Sequence, residues 1–368
     1  MSGLQSQSPF RAAFRLPLVA SGLCALLMSL PAFAASQFGD PLDTPADMRT
    51  RPAERPLMAV AHAGERLVAV GPRGLIVVSD DRGKTWTQAH VPVQSDLLAV
   101  HFPDPQQGWA VGHEGVILHT TDGGKTWAKQ LDGRDALAAF KAYYAQGRQS
   151  PAVESAVAQL ELNYRAGPAL PWLDVWFEDV NTGYAVGSFG MLIATRDGGK
   201  TWEPRLDRID NDQYLNLNAI RGVGGELYIA GERGKIYRLD RAAGHFVGHD
   251  TGYIGSFFGI AGRDRALIAF GLRGVVYRSD DHGASWRLLP APSEQTVATG
   301  ISMDGSFILG NVAGQVLRGA WTGEKLTLSG PDKPMRMTGM AALDDGSLVL
   351  TGLDGVRVLP QNATPGGR

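Results

Sequence analysis

The stretch Gly112-His-Glu-Gly-Val-Ile-Leu-His-Thr-Thr-Asp-Gly-Gly-Lys-Thr-Trp127 decides the fold. Its second half, TTDGGKTW (Thr120 to Trp127), returns as SDDRGKTW (Ser79 to Trp86), TRDGGKTW (Thr195 to Trp202) and SDDHGASW (Ser279 to Trp286). The shared pattern Ser/Thr-x-Asp-x-Gly-x-Thr/Ser-Trp suits a tight hairpin. The Asp bonds backbone N–H groups inside the turn, the Gly takes a positive φ, and the Trp buries a large ring as the next strand begins. Asp81, Asp122, Asp197 and Asp281, with Trp86, Trp127, Trp202 and Trp286, are therefore expected to be structural, the tryptophans buried. Four such copies make this a repeat protein.

The first half of the stretch gives the full count. Gly-x-x-Gly followed by alternating apolar residues starts at Gly71, Gly112, Gly187, Gly231, Gly271 and Gly352, and a stretched version runs from Gly310 to Gly314. Upstream of each, a small residue flanked by apolar ones recurs at Ala59, Ala99, Val175, Ala219, Gly259, Gly300 and Gly339. Both ladders have seven members with a period near 40, broken once. Short alternating strands at that period mean one four-stranded blade per repeat.

The expected fold is all-β: a seven-bladed β-propeller of four-stranded antiparallel blades over residues 35–360. In blade 2 the strands fall near Leu97–Phe102, Gly108–Gly112, Val116–Thr121 and Trp127–Gln130. The small-residue ladder belongs on the innermost strands, where seven strands converge. The last repeat lacks an outer strand, and the stretch Phe38–Thr50 is expected to supply it and close the ring. With 47 glycines and 20% charged residues in 368, composition fits one large β domain.

Residues 1–34 read as a secretory signal peptide cleaved after Ala34: Arg11 and Arg15, an apolar run from Leu16 to Leu30, then Ala32-Phe33-Ala34. Cys24, the one cysteine, lies inside it, so the mature chain has no thiol. Residues 361–368 read as a disordered tail. The formal net charge of −2, with no basic tract, argues against a nucleic-acid partner.

Between Asp132 and Leu170 the β pattern yields to helical spacing, at Leu137, Phe140 and Tyr144 and again at Val153, Val157, Leu160 and Tyr164, with Ser150-Pro151 as a helix start. This predicts a helical hairpin over 133–168, standing off the propeller between blades 2 and 3. It is either a docking arm or a structural cap. In a meander, blade-to-blade connections share one face with the Gly-x-x-Gly turns. That face carries Arg73, His113, Glu114, Phe189, Glu232, Arg233, Arg273 and Asp354, of which the first seven are the candidate partner-binding residues. Arg73, Arg233 and Arg273 form an expected cationic ring near the channel mouth, suited to carboxylates. The eight histidines show no metal spacing and no nucleophile elbow is present, so no metal, cofactor or catalytic residue is expected.

The repeats resemble those of sialidases, sortilin-type receptors and the photosystem II stability/assembly factor family. Gly112–Trp127 and Gly187–Trp202 are most similar to the last, and the resemblance covers nearly all of the mature chain. It implies a seven-bladed, non-enzymatic scaffold of the lumen or periplasm that holds membrane-protein subunits. It also implies an arginine-rich patch, to which Arg73, Arg233 and Arg273 are candidates to correspond. Relatives in non-photosynthetic bacteria, some associated with membrane exporters, imply a membrane or envelope protein partner, exporters included. The alternative is an exported glycoside hydrolase or glycan-binding protein of the same repeat class. The Arg-Ile-Pro segment of sialidases is absent here.

Overall fold

The computed structural model describes residues 39–330 and 334–361. The predicted leader, and all but the first residue of the predicted tail, lie outside the described residues. Seven antiparallel sheets follow one another along the chain, over 59–88, 97–131, 172–204, 217–250, 257–289, 297–329 and 337–359. Six are four-stranded meanders and the seventh has three strands among the described residues. They form a seven-bladed β-propeller. In blade 2 the strands are Leu97–His101, Gly108–Gly112, Ile117–Thr120 and Ala128–Leu131, each within a residue or so of expectation. No helix among the described residues is long and apolar enough to cross a membrane.

The Gly-x-x-Gly turn is a staple. A Cβ on Gly112 would stand 2.0 Å from the carbonyl oxygen of Asp96, just ahead of its own blade's first strand. A Cβ on Gly74, whose φ is +70°, would stand 2.0 Å from the carbonyl of Val93, on the connection entering the next blade. The first glycine thus admits the inner strand and the second admits the neighbouring blade.

That staple also closes the ring. Gly355 of blade 7 meets the carbonyl of Ala53, ahead of blade 1, at 2.1 Å from its would-be Cβ. Leu57 N donates to Gly352 O (3.0 Å), and Thr338 Oγ1 donates to Leu57 O (2.6 Å). The expectation that Phe38–Thr50 adds a strand to blade 7 is not met. From Gly39 onward this stretch lies on blades 1 and 2: Ala46 N donates to Val91 O, Gln94 N to Pro41 O, and Lys129 Nζ to Leu42 O. Pro41 and Pro45 lack the N–H groups that a ladder needs.

The four Asp-box carboxylates are consumed by their own turns. Asp122 accepts from Thr120 Oγ1, Lys125 N, Thr126 N and Thr126 Oγ1 at 2.6–3.0 Å. Asp81, Asp197 and Asp281 repeat the arrangement. Trp127 and Trp202 are buried, whereas Trp86 and Trp286, expected buried, are half-exposed at the blade rim. Hydrogen bonds from Thr85 and Ser285 hold Asp81 and Asp281 down at about 2. A carboxyl whose pKa is depressed by folding stabilises the fold above its unfolded value near 3.8 and loses that contribution as pH falls toward 2. Denaturant midpoints measured from pH 6 to pH 2 should therefore be flat above about pH 4 and fall steadily below it. A midpoint unchanged down to pH 2 would contradict the assignment.

The insertion forms two helices, α1 (Gly133–Gln146) and α2 (Pro151–Asn163). Asp132 caps the first by accepting from Arg134 N, and Ser150 caps the second by accepting from Val153 N. The hairpin does not stand off the propeller. Ala136, Phe140, Tyr144, Val153, Ala156 and Leu160 share one core with Trp109, Trp172, Met191 and Trp202 of blades 2 and 3. Tyr144 Oη donates to Asp207 Oδ1 (3.0 Å) and accepts from Leu206 N (3.1 Å).

Candidate functional site

The face that carries the Gly-x-x-Gly turns also carries the hairpin: Asn163 Nδ2 donates to the carbonyl of Phe189. Arg73, Glu114, Phe189, Arg233 and Arg273 hold one repeat position in blades 1 to 5, and each has a positive φ between 51° and 58°. Such backbone costs a non-glycine residue roughly 1–2 kcal/mol, and tethers fix it. Arg73 N donates to Asp96 Oδ1 (2.8 Å) and Phe189 N to Asn216 Oδ1 (2.7 Å). Phe189 is 53% exposed.

The eight residues expected on this face differ in how free they are. Glu232 accepts from both the N and Nδ2 of Asn216 and so braces the chain where it passes into blade 4. Glu114 buries one carboxylate oxygen with no partner among the described residues, and His113 is half-buried beside it. Asp354 is exposed. Arg73 donates to Gln94 and Arg233 to Gln213, while the backbone N of Arg273 donates to Thr296 Oγ1. None of the three arginines lines the central channel. They sit in separate turns, and the expected ring at the channel mouth is instead made by Met58, Leu98, Leu173, Asn218, Phe258, Ala298 and Thr338 on the inner strands.

A denser arginine cluster escaped the sequence reading. Arg196, Arg205, Arg208 and Arg241 line one groove of about 500 Å³ with Glu178 and Tyr184, at blades 3 and 4. Arg205 pairs with Glu203, Arg208 with Asp207 and Arg241 with Glu178, while Arg196 has no such partner among the described residues. Arg205 and Arg208 also line a hollow beneath the hairpin, together with Arg148. These arginines come from different elements, so no single stretch of sequence announces them.

The channel holds a second missed cluster. Strand pairing aligns Ala59, Ala99, Asp174, Ala219, Gly259, Thr299 and Gly339. The sequence ladder placed Val175 and Gly300 there, one residue too far, because it followed small residues flanked by apolar ones, and at the aligned position blades 3 and 6 carry Asp174 and Thr299 instead. Two positions on stand His101, Trp176 and Arg221 in blades 2, 3 and 4, where the other blades have Ala61, Ala261, Ile301 and Ala341. The His101 and Trp176 rings lie 4.1 Å apart, and the Arg221 guanidinium lies 5.9 Å from the Trp176 ring centroid. Asp174, 5% exposed, accepts from Val175 N, Ile220 N and Arg221 Nη1. Burial pushes its carboxyl upward, opposed by Arg221 and the two backbone donors. Burial, reinforced by Arg221, lowers His101 to about 3, so the ring is neutral. Its Nδ1 accepts from Phe177 N (3.1 Å), which leaves Nε2–H as a donor.

Among the described residues no group of three His, Cys, Asp or Glu is placed to hold a metal ion.

The family model and the curated relatives point to one family. A family model described as photosynthesis system II assembly factor YCF48 matches residues 78–144 and 152–302. A photosystem II assembly lipoprotein Ycf48 of Synechococcus sp. (strain CC9902) is 31% identical over 131 residues, 34% of this chain and 38% of that protein. The chain thus spans little more than a third of that relative's length. A solved structure described as YCF48 bound to D1 peptide aligns with a TM-score of 0.61 at 15% identity, covering 85% of this chain and 96% of the other. The structure of YCF48 from Cyanidioschyzon merolae aligns with a TM-score of 0.62 at 13% identity, covering 85% and 98%. At these identities the structures speak for the fold.

Proposed function

The chain belongs to the photosystem II assembly factor YCF48 family, and on that premise we propose that it is an exported, non-enzymatic scaffold that holds a segment of an envelope or membrane protein. One observation carries the reading. Five non-glycine residues keep a strained backbone at one repeat position, on the face that also carries the helical insertion. A glycine would relieve that strain, and strain retained at the exposed Arg73, Phe189, Arg233 and Arg273 points to the side chains being used. Phe189 offers an apolar anchor, and Arg73, Arg233 and Arg273 offer donors to carboxylates or carbonyls. One structural relative is bound to a D1 peptide, which is consistent with a segment as the ligand here too.

The groove of Arg196, Arg205, Arg208 and Arg241 extends the same reading to acidic partners, since clustered arginines steer acidic chains at long range. The Asp-box carboxylates, each spent on its own turn, offer nothing for the glycoside-hydrolase alternative.

The test is recovery of envelope proteins on a tagged, exported form. A triple Arg73→Glu, Arg233→Glu, Arg273→Glu variant should lose the protein that co-purifies with the wild type. Its stability should change by less than about 0.5 kcal/mol per site, as exposed substitutions usually do. A variant that keeps the partner would remove this face from the reading.

A further inference from the structure

We propose that the central channel contains a carboxylate-binding socket built by His101, Trp176 and Arg221 of blades 2, 3 and 4 and braced by Asp174. Seven copies of one strand surround the axis, so each copy shows what the fold requires of the others. At the position of Asp174, five blades carry alanine or glycine and the sixth threonine. At the position shared by His101, Trp176 and Arg221, the other four carry three alanines and one isoleucine. A propeller of this chain's dimensions therefore closes without these four side chains. They occur together, in three consecutive blades, and touch.

The chemistry of the cluster is one-sided. Arg221 spends only Nη1, on Asp174 Oδ2 and on the carbonyl of Ile220. Among the described residues no acceptor meets its Nε or Nη2, the edge that grips a carboxylate with two parallel bonds. His101 adds an Nε2–H donor. The charge of Asp174 is met by Arg221 and two backbone N–H groups, which fixes the guanidinium as a preorganised donor. Among the described residues no other titratable side chain lines the channel, whose cavity is about 570 Å³, within the range that takes small ligands or a few residues of chain. A site of donors with one free guanidinium edge selects an anion with planar paired oxygens.

The experiment is a titration followed by the side-chain Nε–H signal of Arg221 and the indole N–H signal of Trp176. The probes are acetate, succinate, and a short alanine peptide with its carboxyl end free or amidated. Carboxylates should move both signals at concentrations that leave exposed arginines unaffected. Tighter binding of succinate assigns the socket to a free acid. Tighter binding of the free-ended peptide over its amide assigns it to a chain terminus. Either result supports the proposal. Asp174→Ala with Arg221→Ala, which restores the small residues of other blades, should stay folded and lose the response. Arg221→Lys, which keeps the ion pair and removes the free edge, should weaken binding roughly tenfold. Signals unmoved by every probe, or a response retained in both variants, would overturn the socket. Unfolding of the alanine pair would also count against it, because the cluster would then be part of the framework.

Discussion

Phe140→Ala is expected to cost the whole domain about 3–5 kcal/mol, the range for deleting a fully buried aromatic ring. Phe140 is completely shielded from solvent, although it lies in an insertion absent from the other five blade-to-blade connections. Its neighbours in the same core include Tyr144 and Leu160 of the hairpin and Trp109 and Trp172 of the inner blade strands. The hairpin and blades 2 and 3 should therefore unfold in one transition. Urea denaturation followed by far-ultraviolet circular dichroism and by tryptophan emission measures this directly. A loss below about 1 kcal/mol, or helices that melt before the sheets, would return the hairpin to the status of an arm. Removing residues 133–168 altogether should be more damaging, since it uncovers Trp172 and Met191.

The second large effect belongs to the Asp boxes and separates their tryptophans into pairs. Trp127→Ala and Trp202→Ala should each cost about 3–5 kcal/mol. Trp86→Ala and Trp286→Ala, at half-buried rings, should cost roughly 1–3 kcal/mol. Substitution by phenylalanine divides the buried pair further. Trp127 Nε1 donates to Gly124 O at 3.0 Å, so Trp127→Phe strands a carbonyl. Trp202 Nε1 is buried with no acceptor among the described residues, and its ring stands edge-on to Phe177. Trp202→Phe removes an unpaired donor and should lie within about 1 kcal/mol of the wild type. Equal losses in both phenylalanine variants would contradict these hydrogen-bond assignments.

The architecture was legible because its determinants are local and repeated. A turn that needs Asp, Gly and Trp at fixed offsets states itself in eight residues, and four copies set the blade length. The candidate site was less legible, for two physical reasons. Strand pairing, not side-chain size, defines the inner position, and blades 3 and 6 place Asp174 and Thr299 where the other blades place alanine or glycine. Following small residues along the chain put Val175 where Asp174 stands and hid the common position of His101, Trp176 and Arg221. The groove of Arg196, Arg205, Arg208 and Arg241 is assembled from two blades and the turn between them, a proximity that no periodicity encodes. The helices at Phe140 and Leu160 follow directly from spacing. Spacing alone does not say what an apolar stripe packs against, and so an integral part of the core read as a projecting hairpin.

The joint between Gly355 and Ala53 repeats the contact that Gly74 makes with Val93, and among the described residues no strand passes from one end of the chain into the sheet of the other. Every blade boundary is thus crossed by the same kind of seam, six of them bridged by chain and one held by packing and by hydrogen bonds such as that from Leu57 N to Gly352 O. A molecule built this way has a circumference that counts whole blades. One blade more or one fewer would alter the curvature of the wheel and the bore at its hub without leaving any sheet half-paired.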